Sequence, residues 1–264
     1  MKARKITYDF VFSMGEVCFC ANYLQSMCLR KLSTPFDWVA GATFGERMRL
    51  LMNDFDNFFN MTDLVYHGKR EYPQPCNIYY NTRTHIVFNH DFSLFKSFDE
   101  MFLIVKERYN RRIKRLYELM NKSKKVLIVY MERADTQSGV SSDTELCNLM
   151  KDLNQKFTKA HIDLMYIRHN ENMKDGEFTR QRIDEHVIVA QCFNRSLDEN
   201  SSAVGNLHNV RKIFADISCR NNSFRFLFYW VKKIFKTIYR HKIKNGEEYI
   251  RLLGIKIYRR KIKI

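Results

Sequence analysis

KKVLIVYM, residues 124–131, is an apolar run with two lysines in front of it. Six apolar residues bounded by charge read as a strand covered on both faces, the kind found inside a parallel sheet. Two similar runs follow, IDLMYIR at 162–168 and HVIVAQCF at 186–193. Between the first two lies SSDTELCNLMKDLNQKF, 141–157, a helix with Ser142 or Asp143 as its cap and Glu145 in its first turn. The polar stretch 176–184 is expected to be helical, as is 206–217. Strand, helix, strand, helix, strand over 125–193 predicts a parallel sheet with helices on its faces. ITYDFVFS, 6–13, supplies a further strand. The fold class expected is therefore α/β, a layered domain with a mostly parallel central sheet flanked by helices.

The intervening chain adds helices at 18–31 and 43–59, with a turn at STPFDW (33–38) between them, where Pro35 keeps Thr34 extended. Residues 61–92 hold Pro73, Pro75 and short alternating runs, which predicts a short antiparallel insertion. The helix at 95–121 has the clearest pattern: Phe98, Phe102, Val105, Tyr109, Ile113, Leu116 and Met120 recur at spacings of three and four.

Composition narrows the class. A chain of 264 residues with 45% hydrophobic content has ample core for one large domain and an appendage. Seven cysteines, odd in number and irregular in spacing, do not read as a disulfide framework and fit a reducing compartment. There is no signal peptide pattern and no run of ~20 apolar residues, so a cytoplasmic location is expected. The net charge of +16 is lopsided: residues 221–264 hold 13 Lys and Arg against 2 Asp and Glu, or +11, which leaves +5 for residues 1–220. A nucleic-acid surface along the whole chain is not what this distribution describes. Two domains follow, a catalytic body at 1–220 and a basic, aromatic-rich tail at 221–264.

In VFSMGEVCFCANYL (11–24) a strand ends, Gly15 allows a turn, and a helix begins near Cys18. Free N–H groups at a helix start favour a thiolate and can hold an oxyanion, so Cys18 is a candidate nucleophile with a lowered pKa. Cys20 and Cys28 are expected to be packing residues. A cysteine nucleophile needs a base. His90 ends the strand THIVFNH, where its ring can leave the sheet edge, and Asp91 beside it or Asp37 in PFDW is placed to orient that ring. No metal site is expected, because Cys18 and Cys20 on a helix point about 200° apart. Nor is a cofactor: HExxH, Walker A, GxGxxG and GxSxG patterns are all missing.

SMGEVCFCANYL, STPFDWV, FNHDF and KERYNRRIKRL followed by KKVLIVYM, in that order, resemble a bacterial family described as papain-like cysteine peptidases. The resemblance spans roughly residues 7 to 195. It implies Cys18 as nucleophile, His90 as general base, and Asp91 or Asp37 as the orienting acid. It further implies a substrate site walled by Trp38 and flanked by Ser13 and Gly15 of the Ser-x-Gly-x-x-Cys motif.

In the tail, SFRFLFYWVKKIFKTIYRHKIK (223–244) interleaves aromatics with Lys and Arg. Placed on a helix, these make a basic amphipathic face suited to an anionic membrane surface; nucleic acid is the weaker partner. The final EEYIRLLGIKIYRRKIKI resembles the tails of bacterial glycosyltransferases of lipopolysaccharide and capsule assembly, which implies a protein peripheral to the inner membrane. Two functions remain. One is a thiol hydrolase or acyltransferase using Cys18 and His90. The other is a non-hydrolytic role in surface-polysaccharide synthesis, in which Arg111, Arg112 and Arg115 hold an anionic substrate such as a sugar nucleotide.

Overall fold

Phe10–Ser13 (β2), Lys125–Met131 (β7), His161–His169 (β8) and Val187–Cys192 (β10) lie side by side, all parallel, and Phe178–Asp184 (β9) closes one edge antiparallel to β10. In the computed structural model the described residues are 5–71, 75–134, 140–195 and 205–220, together with the backbone of 239–244, 247–252 and 255–261. The chain divides into two compact units, Met1–Arg220 and Asn221–Ile264.

In the first unit the apolar runs fill the sheet as their sequence requires. Val126 to Met131 are all buried, and alternate residues go to opposite faces. Phe10, Phe12, Val126, Ile128, Tyr130, Leu164 and Tyr166 face one layer; Val11, Leu127, Val129, Met165 and Ile167 face the other. The first layer holds the helices Phe44–Met52 (α2), Phe98–Lys122 (α3) and Asp143–Lys156 (α4). The second holds Cys18–Ser26 (α1) and Leu207–Ile213 (α5). Ser142 caps α4 as expected, accepting from the Glu145 N–H, and Thr43 with Glu46 and Ser97 with Glu100 form capping boxes on α2 and α3.

The first strand is bent at Asp9. Ile6–Tyr8 (β1) leaves the main sheet and pairs in parallel with Ile217–Cys219 (β11), while β2 continues beside β7. Asp9 accepts the backbone N–H groups of both Lys124 and Lys125 at 3.0 Å, which pins the bend.

The insertion is a four-stranded antiparallel sheet in the order Val39–Gly41 (β3), Ile86–Ser93 (β6), Cys76–Asn81 (β5), Leu64–Arg70 (β4). It packs on α3 through an aromatic cluster of Phe58, Phe59, Phe88, Phe92, Phe102 and Tyr109.

Several expectations change, beginning with the helices expected over 18–31, 43–59 and 206–217, which end at Ser26, Met52 and Ile213. Residues 176–184 are not helical: β9 is a charged edge strand, Thr179 to Arg182 all exposed, and Lys/Arg-rich edges resist pairing with other chains. In the second unit, Tyr239–Lys244 (β12), Glu247–Leu252 (β13) and Ile255–Lys261 (β14) form an antiparallel sheet. The amphipathic helix expected over 223–244 therefore does not extend through Tyr239–Lys244, and residues 221–238 lie outside the described residues. Among the described residues no helix is long and apolar enough to cross a membrane.

Candidate functional site

Beyond Ser13 the chain stays on the sheet for one more residue, with the Met14 N–H donating to the Val129 carbonyl at 2.8 Å. Gly15 is required here by space. A Cβ would fall 2.3 Å from Cys20 Cβ, so only glycine lets α1 close onto the strand end. Ser13 is fully buried and its Oγ accepts the Gly15 N–H at 3.2 Å. Ser13 and Gly15 thus shape the turn, and neither presents a side chain to a substrate as the motif implied. Cys20 is buried against the Val129 carbonyl, and burial pushes its thiol up to about 12.

Cys18 is the first residue of α1 and is half-buried. Its N-cap, Val17, supplies no capping side chain, and the first turn carries no acid. The leading N–H groups are thus not taken by a capping side chain. The Cys18 thiol nonetheless sits above its ordinary value. Burial raises it by more than its own N–H and the Arg70 guanidinium lower it. The lowered pKa expected from the helix start is therefore overturned, because desolvation of the sulfur wins.

His90 lies on β6. Tyr79 pairs with Phe88 and Asn77 with Phe92, so Ile78 alone stands opposite three residues, Asn89, His90 and Asp91. That excess is a bulge, and bulges re-aim side chains. Strict alternation from Phe88 would send His90 into the core; the bulge leaves it half-buried and turns Asp91 inward. The Cys76 thiol donates to the Asn89 carbonyl at 3.1 Å and braces the bulge. A second irregularity lies on β4, where Tyr66 pairs with Tyr79 and Gly68 with Ile78, leaving His67 extra. It brings Arg70 opposite Cys76, with Arg70 Nη2 3.0 Å from His90 Nδ1. Trp38 stands edge-to-face to the His90 ring at 6.1 Å, and Arg30 lies 5.3 Å over the Trp38 ring. Burial first, and Arg70 second, hold the His90 pKa below the usual imidazole value against the pull of Asp91. Arg70 is thus the residue whose charge reaches both Cys18 and His90. Sequence reasoning missed it; Gly68 inside a strand pattern was the available sign of a bulge.

The two proposed orienting acids are committed elsewhere. Asp91 accepts from Arg108 at 2.8 Å and from the Tyr109 hydroxyl at 2.7 Å. Asp37 accepts from Arg30 at 2.7 Å and from the Thr34 hydroxyl and N–H. Both are buried, and neither is hydrogen-bonded to His90 among the described contacts. The arginine cluster divides. Arg111 is exposed and pairs with Glu107 one turn away, and Arg115 is exposed. Arg112 is half-buried, lies 5.0 Å over the Tyr109 ring, and projects its charge onto Asp37.

A separate group gathers at the opposite ends of the parallel strands. One ligand atom each from His161, Asp163 and His186 lie within 4.8 Å of one another. Asp163 already accepts from Tyr8 at 2.7 Å and Arg182 at 3.0 Å. A resident guanidinium makes this carboxylate a poor cation ligand.

A family model described as "Putative papain-like cysteine peptidase (DUF1796)" matches residues 9–172. An uncharacterised protein of Acanthamoeba polyphaga mimivirus is 26% identical over 178 residues, which cover 61% of this chain and 78% of that protein. No solved structure matches.

Proposed function

The chain belongs to the family bearing that description, and from this premise we propose that it is a thiol hydrolase or acyltransferase in which Cys18 attacks a carbonyl and His90 carries the proton. The observation that supports this most is a shared charge: Cys18 stands on the first turn of α1, His90 on the bulge of β6, and the Arg70 guanidinium acts on both. Both groups rest uncharged, a protonated thiol and a neutral ring. The chemistry is accordingly general-base catalysis. His90 takes the thiol proton as sulfur bonds to the carbonyl carbon and the carbonyl electrons move onto oxygen. The leading N–H groups of α1 stabilise that oxyanion. Collapse expels the leaving group, which takes the proton from His90, and water or an acceptor nucleophile then cleaves the thioester with His90 again as base.

The test needs no substrate. Alkylation of Cys18 by iodoacetamide at pH 7, followed by peptide mass spectrometry, should slow by about 100-fold in His90→Ala, the low end of what a positioned base contributes. An unchanged rate would end the pairing.

The second unit is proposed to dock on anionic membrane surfaces. Its support is the sequence, 13 Lys and Arg against 2 Asp and Glu. Full-length protein should float with vesicles containing anionic lipid while residues 1–220 remain below; equal flotation would remove the anchor.

A further inference from the structure

The three strands of the second unit hold eight Lys and Arg, and their register sorts these residues. Successive residues of a strand belong to opposite faces, and partners across a ladder share one. Arg240, Arg251 and Lys256 stand in one row across β12, β13 and β14. In the next row of the same face Lys242 and Arg259 flank Tyr249, and in the third Lys244 and Lys261 flank Glu247. The other face carries Arg260 opposite Glu248, and otherwise His241 with Tyr, Ile and Leu. Seven of the eight cationic residues thus share one face.

The sorting depends on a bulge. Lys256 and Arg259 are three apart, and strict alternation would put them on opposite faces. Arg251 pairs with Lys256 but Ile250 with Tyr258, so Ile257 is an extra residue. It returns Arg259 to the face of Lys256.

Like charges directly opposite one another destabilise a sheet, and the row of Arg240, Arg251 and Lys256 repeats that cost across both ladders. The unit cannot neutralise itself. Residues 221–264 hold 13 Lys and Arg against 2 Asp and Glu, so pairing both acids would still leave a large positive excess. An anionic layer outside the chain relieves the repulsion.

We propose that the basic face of β12–β14 is the element that docks the second unit on a bilayer containing anionic phospholipid. This deepens the membrane reading of the second unit, on which it rests, by assigning the contact to particular residues. Strands lie about 4.8 Å apart and same-face residues roughly 7 Å apart along a strand. The seven positions therefore form a two-dimensional grid, which suits a plane of phosphates. Single-stranded nucleic acid is held differently, by aromatics and cations combined on one platform. Here the register separates the two, and Tyr249 is the one aromatic residue on the basic face.

Flotation of the full chain with phosphatidylcholine–phosphatidylserine vesicles tests it. Each Lys or Arg near such a surface contributes about fivefold to binding, so Lys242→Gln, Lys256→Gln and Arg259→Gln together should weaken it about 100-fold. Lys232→Gln, Lys233→Gln and Lys236→Gln remove the same charge from outside the three strands and should weaken it less than about tenfold. Equal losses would overturn the face and leave the membrane reading standing. Full-length protein floating no better than residues 1–220 would end both. The unaltered protein decides if the first triple variant misfolds: vesicles should protect Lys242, Lys244, Lys256 and Lys261 from amine acetylation, and labelling at the lipid-free rate overturns the proposal. Loss of single-stranded oligonucleotide binding in the first triple variant, with vesicle binding intact, would give the face to nucleic acid and overturn it as well.

Discussion

Asp37→Ala is expected to lose about 3–5 kcal/mol of folding free energy, the usual cost of stranding one partner of a buried ion pair. Asp37 is fully buried and the Arg30 side chain is only 7% exposed, so the orphaned guanidinium cannot turn to water. The Thr34 hydroxyl and N–H lose their acceptor as well. The paired variant Arg30→Met with Asp37→Leu should return more than half of that loss, because the isolated charge is the expensive state and a hydrophobic pair of similar volume is not. Denaturant unfolding of the two variants measures both. A loss below ~1 kcal/mol in Asp37→Ala would mean that Arg30 reaches solvent, and would make Asp37 available to His90 after all.

Phe88→Ala is expected to cost a similar amount, about 3–5 kcal/mol, as for other large aromatic truncations in packed cores. Its ring contacts Phe58, Phe59, Phe92 and Tyr109 with centroids 5.1–6.5 Å apart, and no neighbour can collapse into the space without breaking another of these pairs. The damage should reach the site. Phe88 is the last regular residue before the bulge that carries His90 outward, and its cavity frees that bulge to slide. Cys18 alkylation should therefore slow in Phe88→Ala at temperatures where the protein is still folded, whereas the more distant Leu116→Ala should lose stability with the alkylation rate intact.

The parallel sheet was legible because its strands are buried on both faces, and such strands are written as continuous apolar runs with no competing signal. β9 was not. An edge strand exposed on both sides has no apolar alternation to read, and FTRQRID passes as a polar helix. The site divides in the same way. Cys18 was read at a helix start, where it lies, whereas His90 was read at a strand end and stands inside β6, turned outward by a bulge that no periodicity announces. What a side chain pairs with across space is not written in spacing. Asp37 and Asp91 sit beside plausible partners in sequence, yet each is claimed by an arginine from another segment. Arg70 has no local signature, and its proximity to His90 depends on two bulges that a strict period of two conceals.

The bend at Asp9 sets a timetable for synthesis. β2 can pair with β7 once residue 129 has emerged, but β1 is bound to β11, and Thr7 meets Ser218 across 211 residues. At ribosomal rates of about 5–20 residues per second, β1 waits roughly 10–40 s for its partner. During that interval the body of the sheet can assemble while one short strand end remains without its mate. A segment made early is thus tied down late, and the strand that closes it lies immediately before the basic tail. A nascent chain stalled before Ile217 should hold the β2–β7 pairing while leaving Ile6–Tyr8 open to protease.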